Sequence, residues 1–109
     1  AAVAARESWL KEPKGRKVAV DILRALQEAQ ILTRENARVT KKAIKKFTRV
    51  DDDASLQGSY EFYKDVYPPT IRVVEKAMAN ALKFIDHPKA KQYEVRQAFD
   101  TGFAEEALR

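Results

Sequence analysis

The sequence predicts an all-α fold of five to six short and medium helices. Apolar residues recur at spacings of three and four along most of the 109 residues, which is the period of an amphipathic helix. The chain has only three Gly and four Pro, few for a turn-rich β protein. The best candidate strand, over residues 94–99, is short. We therefore expect a single helical domain spanning residues 1–109.

Two helices are predicted at the start of the chain, over about residues 2–11 and 13–32. Trp9 would anchor the first helix, and Pro13 ends it because proline fits the first turn of the next helix. At about 100° per residue, one arc of the second helix collects its apolar side chains, Val18, Ala19, Ile22, Leu23, Ala25, Leu26 and Ala29.

Polar residues mark the ends of the next two helices. Asn36 is an expected N-cap for a third helix that ends near Thr48. The three carboxylates of residues 51–53 precede a fourth helix over about 54–66, where they would accept the free N–H groups of its first turn. That helix carries a stripe of Leu56, Tyr60, Tyr63 and Tyr67, and the prolines at 68 and 69 must stop it.

The last third of the chain predicts two more helices. Thr70 can cap a fifth helix over about 71–85, which ends at His87 and Pro88. A protonated His87 would interact favourably with the C-terminal end of that helix. Asp100 or Thr101 can cap a short final helix.

The positive charge is concentrated in residues 34–49. This segment has seven basic side chains and one acidic one, a net charge of +6, so the rest of the chain carries −1. Cations on one helical face could attract nucleic acid, an anionic membrane or a protein partner. A helix that reads DNA usually adds Asn, Gln or Ser for the base edges, and this face lacks them. A solvated charged face is the simplest interpretation. The residues opposite it are expected to be ordinary core: Val39, Thr40, Ala43, Ile44 and Phe47.

The composition argues against an enzyme and against a metal or cofactor site. The chain has no Cys and one His, so it lacks a thiolate nucleophile and a His-rich metal site. The three consecutive Asp do not have the alternating ligands and closing Glu of a calcium loop. No glycine-rich phosphate loop is present, and no apolar run approaches the roughly 20 residues of a membrane span.

Several motifs, taken in order, resemble one family. They are the run from Arg6 to Pro13, the helix with LRALQEA at 23–29, AIKKFT at 43–48 before the acidic turn, YPPTI at 67–71, and FDTGFAEEAL at 99–108. Their order and spacing resemble the C-terminal helical segment of ABC-transporter solute-binding proteins, in the branch that binds nitrate, sulfonates, taurine or thiamine precursors. The resemblance covers nearly the whole chain.

The resemblance implies a place in a larger protein with a periplasmic-binding-protein-like, type 2, two-lobed α/β fold. Such proteins capture a small solute for import, deliver it to an ABC permease, and lie in the periplasm or elsewhere outside the cytoplasmic membrane, associated with it. The chain would be their non-catalytic helical C-terminal part. The family's ligand cleft lies mostly in the preceding portion, so no ligand-binding residue is carried over.

Two further hypotheses complete the predictions, an alternative function and a corollary of the resemblance. The alternative function is a free-standing helical module that binds nucleic acid or protein through residues 36–49. Helices excised from a larger protein would also expose apolar faces, so we predict a homo-oligomer formed through Ile22, Leu26, Tyr60, Tyr63 and Tyr67.

Overall fold

A computed structural model describes residues 3–109 and confirms the all-α prediction, with no strand in that range. Its α-helices are α1 (Glu7–Leu10), α2 (Pro13–Glu35), α3 (Ala37–Thr48), α4 (Asp53–Tyr63), α5 (Glu75–Phe84) and α6 (Gly102–Ala107). Two 3₁₀ helices, Pro88–Gln92 and Val95–Gln97, connect α5 to α6.

The chain clusters into two compact units. One comprises Arg24–Ile71, and the other combines the residues up to Leu23 with Arg72–Arg109. We call them the middle unit and the terminal unit. The boundary falls within α2, which is one continuous helix. The single domain over residues 1–109 stays a prediction.

The terminal unit has a small core of short side chains. Val20 of α2 and Ala104 and Ala107 of α6 are buried. Gly15 is also buried, because the backbone of Trp9 lies directly against it. Because these residues are small, their burial removes little apolar area from water.

Exposed ion pairs add to the terminal unit. The guanidinium of Arg72 donates to both carboxylate oxygens of Glu105, over 2.9 and 3.4 Å. Arg16 donates to Glu106 over 2.6 Å, and its guanidinium lies 4.6 Å from the centre of the Phe103 ring. Because all four charged groups are partly exposed, each pair contributes modestly.

The middle unit is built from α3 packed against α4. Leu56 and Tyr60 of α4 are its buried side chains. The hydroxyl of Tyr60 donates to the carbonyl of Arg34 over 3.1 Å, which satisfies the buried phenol. The side chain of Gln27 holds the chain after α4, since it donates to the carbonyl of Pro69 and accepts from the N–H of Ile71.

Both predicted caps in the middle unit are present. The side chain of Asn36 accepts from the N–H of Val39 over 3.1 Å at the start of α3. The carboxylate of Asp52 accepts from the N–H of Ser55 over 2.8 Å at the start of α4. Each cap therefore fixes the first turn of its helix, as the residue types predict.

Some predicted helix ends were wrong. Helix α1 begins at Glu7; residues 3–6 are not helical, and residue 2 lies outside the described part. Helix α5 begins at Glu75, so Thr70 does not cap it, and Val74 occupies the N-cap position without a side-chain bond. Two successive prolines favour extended backbone, and the bond from the Ile71 N–H to Gln27 keeps the chain after them out of the helix.

The prediction for His87 also needs correction. His87 does not extend α5, which ends at Phe84. It is the N-cap of the first 3₁₀ helix, where its Nδ1 accepts from the N–H of Lys89 over 3.1 Å. The expected placement of His87 at the C-terminal end of the fifth helix was therefore wrong.

Candidate functional site

Helix α2 exposes most of the apolar arc that the sequence predicts. Val18, Ile22 and Leu26 are all exposed, Ile22 to 46%. Val20 is buried and Gln27 half-buried, and at about 100° per residue these two lie on the opposite side of the helix. Ala19 and Leu23, at the edge of the arc nearest that side, are half-buried, so the protein covers this edge and leaves the middle of the arc exposed.

The covered side of α2 is partly polar. Gln27 lies there and binds the chain at Pro69 and Ile71. The Oε1 atom of Gln30 is buried without a hydrogen-bond partner among the described residues. A free-standing domain normally buries its apolar arc and hydrates its glutamines, whereas this helix exposes the middle of its arc and half-buries both glutamines.

One of the five residues predicted for the self-association surface is buried. Tyr60 is only 7% exposed, because its ring points into the middle unit and its hydroxyl is bound to Arg34; including it was wrong. Tyr63 and Tyr67 are exposed, and their rings stack at 6.4 Å between centres. Ile22 and Leu26 are exposed on α2. Self-association itself stays a prediction.

Helix α3 carries two parallel exposed rows, one apolar and one basic. The apolar row is Val39, Ala43 and Phe47, and the basic row is Arg38, Lys42 and Lys46, each at a spacing of four residues; all six are exposed. Phe47 is 81% exposed. The covered side of α3 is formed by Thr40, Lys41 and Ile44. The expectation that the side opposite the cations is ordinary core was wrong for Val39, Ala43 and Phe47.

The cations of α3 differ in their partners. Lys45 pairs with Asp51, and this hydrogen bond and charge raise the pKa of the Lys45 ammonium. Lys41 donates to the side-chain oxygen of Gln57 over 3.0 Å. No carboxylate in the described part of the chain forms an ion pair with Arg38, Lys42, Lys46 or Arg49.

Two of the three carboxylates in the acidic turn after α3 have structural roles. Asp51 pairs with Lys45. Asp52 caps α4, and hydrogen bonds from the side chain and N–H of Ser55 lower its pKa.

Within residues 3–109, no three His, Asp or Glu side chains converge into a group that could hold a metal ion. None of the helices described there is long and apolar enough to cross a membrane.

The terminal unit contains an open cavity that the sequence did not suggest. It measures about 410 Å³, is open to solvent, and is lined by Glu75, Arg96, Phe99, Asp100 and Thr101. The Oδ1 of Asp100 accepts from the N–H of Gly102 over 2.7 Å. Arg96 and Glu75 approach to 3.9 Å. Four of the lining residues lie between positions 96 and 101, and Glu75 joins them from the first turn of α5.

Comparison with protein families, characterised proteins and solved structures finds no significant match to this chain. The resemblance to ABC-transporter solute-binding proteins is therefore untested by these comparisons. The features that bear on function are the exposed apolar arc of α2 and the paired rows of α3.

Proposed function

We propose that this chain is the non-catalytic helical C-terminal part of an ABC-transporter substrate-binding protein, which captures a small solute for import. The observation that carries the proposal is the exposed apolar arc of α2, which includes Val18, Ile22 and Leu26. An amphipathic helix buries its apolar arc against another layer, and within the described chain no layer covers this one.

The scarcity of buried side chains supports the same proposal. In the described residues, the buried apolar side chains are Val20, Leu56, Tyr60, Ala104 and Ala107, and none of them is completely inaccessible. A domain of this size normally buries about two thirds of its unfolded surface. A chain that relies on a neighbouring α/β lobe for its core accounts for this deficit.

In the parent protein the helices would brace one of two lobes. The arc of α2 would lie on the preceding α/β portion, and closure of the lobes around the solute would bias a two-state hinge. The partners would be the solute and an ABC permease, and the location would be periplasmic or otherwise extracytoplasmic. The chain on its own would neither catalyse a reaction nor hold a cofactor.

The decisive experiment begins with the reading frame upstream of residue 1. We expect it to encode alternating β and α segments preceded by a signal sequence. The complete product would then be expressed and screened for thermal stabilisation by sulfonates, aromatic acids, pyrimidines and nitrate, since a ligand that binds only the native state raises its stability. An upstream frame that lacks βαβ segments would refute the proposal.

A pair of variants tests whether the apolar arc of α2 packs against the α/β portion of the complete protein. Leu26→Glu in the complete protein should destabilise it strongly, because the charge would be buried against the α/β layer. Lys14→Glu, at an exposed position in the first turn of α2, should have little effect. The alternative function, a free-standing module that uses residues 36–49, predicts that neither variant changes stability much.

A further inference from the structure

We propose that the exposed face of α3 is a docking site for an anionic lipid surface, with the row Val39, Ala43 and Phe47 in the interface and the row Arg38, Lys42 and Lys46 at the headgroups. This inference is independent of the proposed function. Interfacial helices combine a strong separation of apolar and basic residues with low overall hydrophobicity, and α3 has both properties.

The orientation of α3 leaves both rows available. The helix contacts α4 through its third side, where Thr40, Lys41 and Ile44 are half-buried. Helix α4 therefore covers neither Phe47 nor Lys46. The Lys46 ammonium lies 5.9 Å from the centre of the Phe47 ring, so one contact with a bilayer could engage a headgroup phosphate and insert an aromatic ring.

The charges of the face fit an anionic partner. Arg38, Lys42, Lys46 and Arg49 have no described carboxylate partner. Of the acids that follow α3, Asp51 pairs with Lys45 and Asp52 caps α4. Each basic residue near an anionic bilayer strengthens binding about fivefold, so four of them together give a measurable attraction at low salt.

The apolar row favours a lipid surface over nucleic acid. Duplex recognition usually adds Asn, Gln or Ser for base edges, which this face lacks, and a contact with a thymine methyl group does not need a whole row of apolar side chains. A bilayer interface uses all three side chains of the row, because aromatic and aliphatic groups enter the boundary between headgroups and acyl chains. The basic row then holds the helix parallel to the surface.

Vesicle co-sedimentation of the full chain tests the inference. We expect at least tenfold tighter binding to phosphatidylcholine vesicles containing about 30 mol% phosphatidylglycerol than to phosphatidylcholine alone, and a loss of at least tenfold on raising NaCl from about 50 to about 500 mM. Equal affinity for the two vesicle types would overturn the proposal, as would the absence of binding at low salt.

Paired variants test each row. Lys42→Glu with Lys46→Glu should weaken binding at least tenfold, whereas Lys76→Glu with Lys83→Glu, the same change of charge on α5, should weaken it far less. Phe47→Ala should weaken binding about tenfold through the lost apolar area. Phe84→Ala removes a ring that is 88% exposed outside this face and should have no such effect. Circular dichroism checks that every variant keeps its helix content.

Two results would contradict the assignment of the face to lipid. If Phe47→Ala and Phe84→Ala bind vesicles equally, the apolar row does not enter the bilayer. If a duplex DNA of about 20 base pairs binds more tightly than the anionic vesicles at the same salt, and the Lys42 and Lys46 reversals abolish that binding, the face belongs to nucleic acid.

Discussion

The backbone of Gly15 lies directly against the carbonyl group of Trp9. A β-carbon at position 15 would overlap the carbonyl oxygen of Trp9, and it would lie 2.9 Å from the carbonyl carbon and 3.1 Å from the indole Cδ2. The obstruction is mostly backbone, which cannot rotate away as a side chain can. Close approach therefore explains why the first turn of α2 contains a residue with poor helix propensity.

The substitution Gly15→Ala should lower the free energy of unfolding by about 1–3 kcal/mol, the usual range for overpacking. Helix propensity alone predicts the opposite, a gain of about 1 kcal/mol. Urea unfolding followed by tryptophan fluorescence measures the effect, because Trp9 is the only Trp in the chain and lies at the site of the change.

The matched control is Gly58→Ala in α4. No atom lies within 4 Å of a β-carbon built there, so propensity should act alone and raise stability by about 1 kcal/mol. If both substitutions stabilise the protein equally, the Trp9 carbonyl group does not lie against position 15 in the folded protein.

Local chemistry predicted several helix ends correctly. Asn36 and Asp52 begin α3 and α4 because each short polar side chain accepts from the N–H three residues later, a bond that depends only on residues close in sequence. The start of α5 could not be predicted in this way. It depends on Gln27, which is 44 residues from Ile71 and holds it outside the helix.

The candidate surfaces were predictable in part. Periodicity places Ile22 and Leu26 on the apolar face of α2, and Lys42 and Lys46 on the basic face of α3. It cannot tell which face a neighbouring element covers, because that depends on long-range packing. Phe47 was therefore expected in the core and is exposed, whereas Tyr60 was expected at a surface and is buried.

The substitution Asn36→Ala should destabilise the middle unit by about 1 kcal/mol, since it leaves the N–H of Val39 without its partner. Asn36→Asp keeps the acceptor and should be nearly neutral. Hydrogen exchange at the first turn of α3 measures both variants. Equal protection in Asn36→Ala and the unsubstituted protein would contradict the cap.

The ion pair between Arg72 and Glu105 predicts a pH dependence of stability. The hydrogen bond and charge of the Arg72 guanidinium hold the pKa of Glu105 below its ordinary value of 4.5. A carboxylate with a lowered pKa in the folded state stabilises the protein above its ordinary pKa, and that contribution is lost as the pH falls through the lowered pKa. The terminal unit should therefore weaken below about pH 4.5.

A double-mutant cycle isolates this pair. Arg72→Gln, Glu105→Gln and the double variant should show a favourable coupling at about pH 7 that disappears at about pH 2. High salt should also reduce it, because both side chains are partly exposed. A coupling that is the same at both pH values would show that the bidentate contact of the structure does not depend on charge.

The exposed arc of α2 predicts self-association of the chain in isolation. Association of exposed apolar faces is favourable because it removes apolar surface from water. The rings of Tyr63 and Tyr67 add a second exposed apolar surface. Sedimentation equilibrium should show an average mass that rises above 12.4 kDa as concentration increases.

Ile22→Glu with Leu26→Glu should raise the dissociation constant at least tenfold, since burial of each of these side chains contributes about 1.5–3 kcal/mol. Ala77→Glu with Asn80→Glu, the same charge change at exposed positions of α5, should leave it nearly unchanged. A chain that remains monomeric at high concentration would show that the arc has too little exposed apolar area to associate. It would also remove the main support for a helix that requires an α/β layer to cover it.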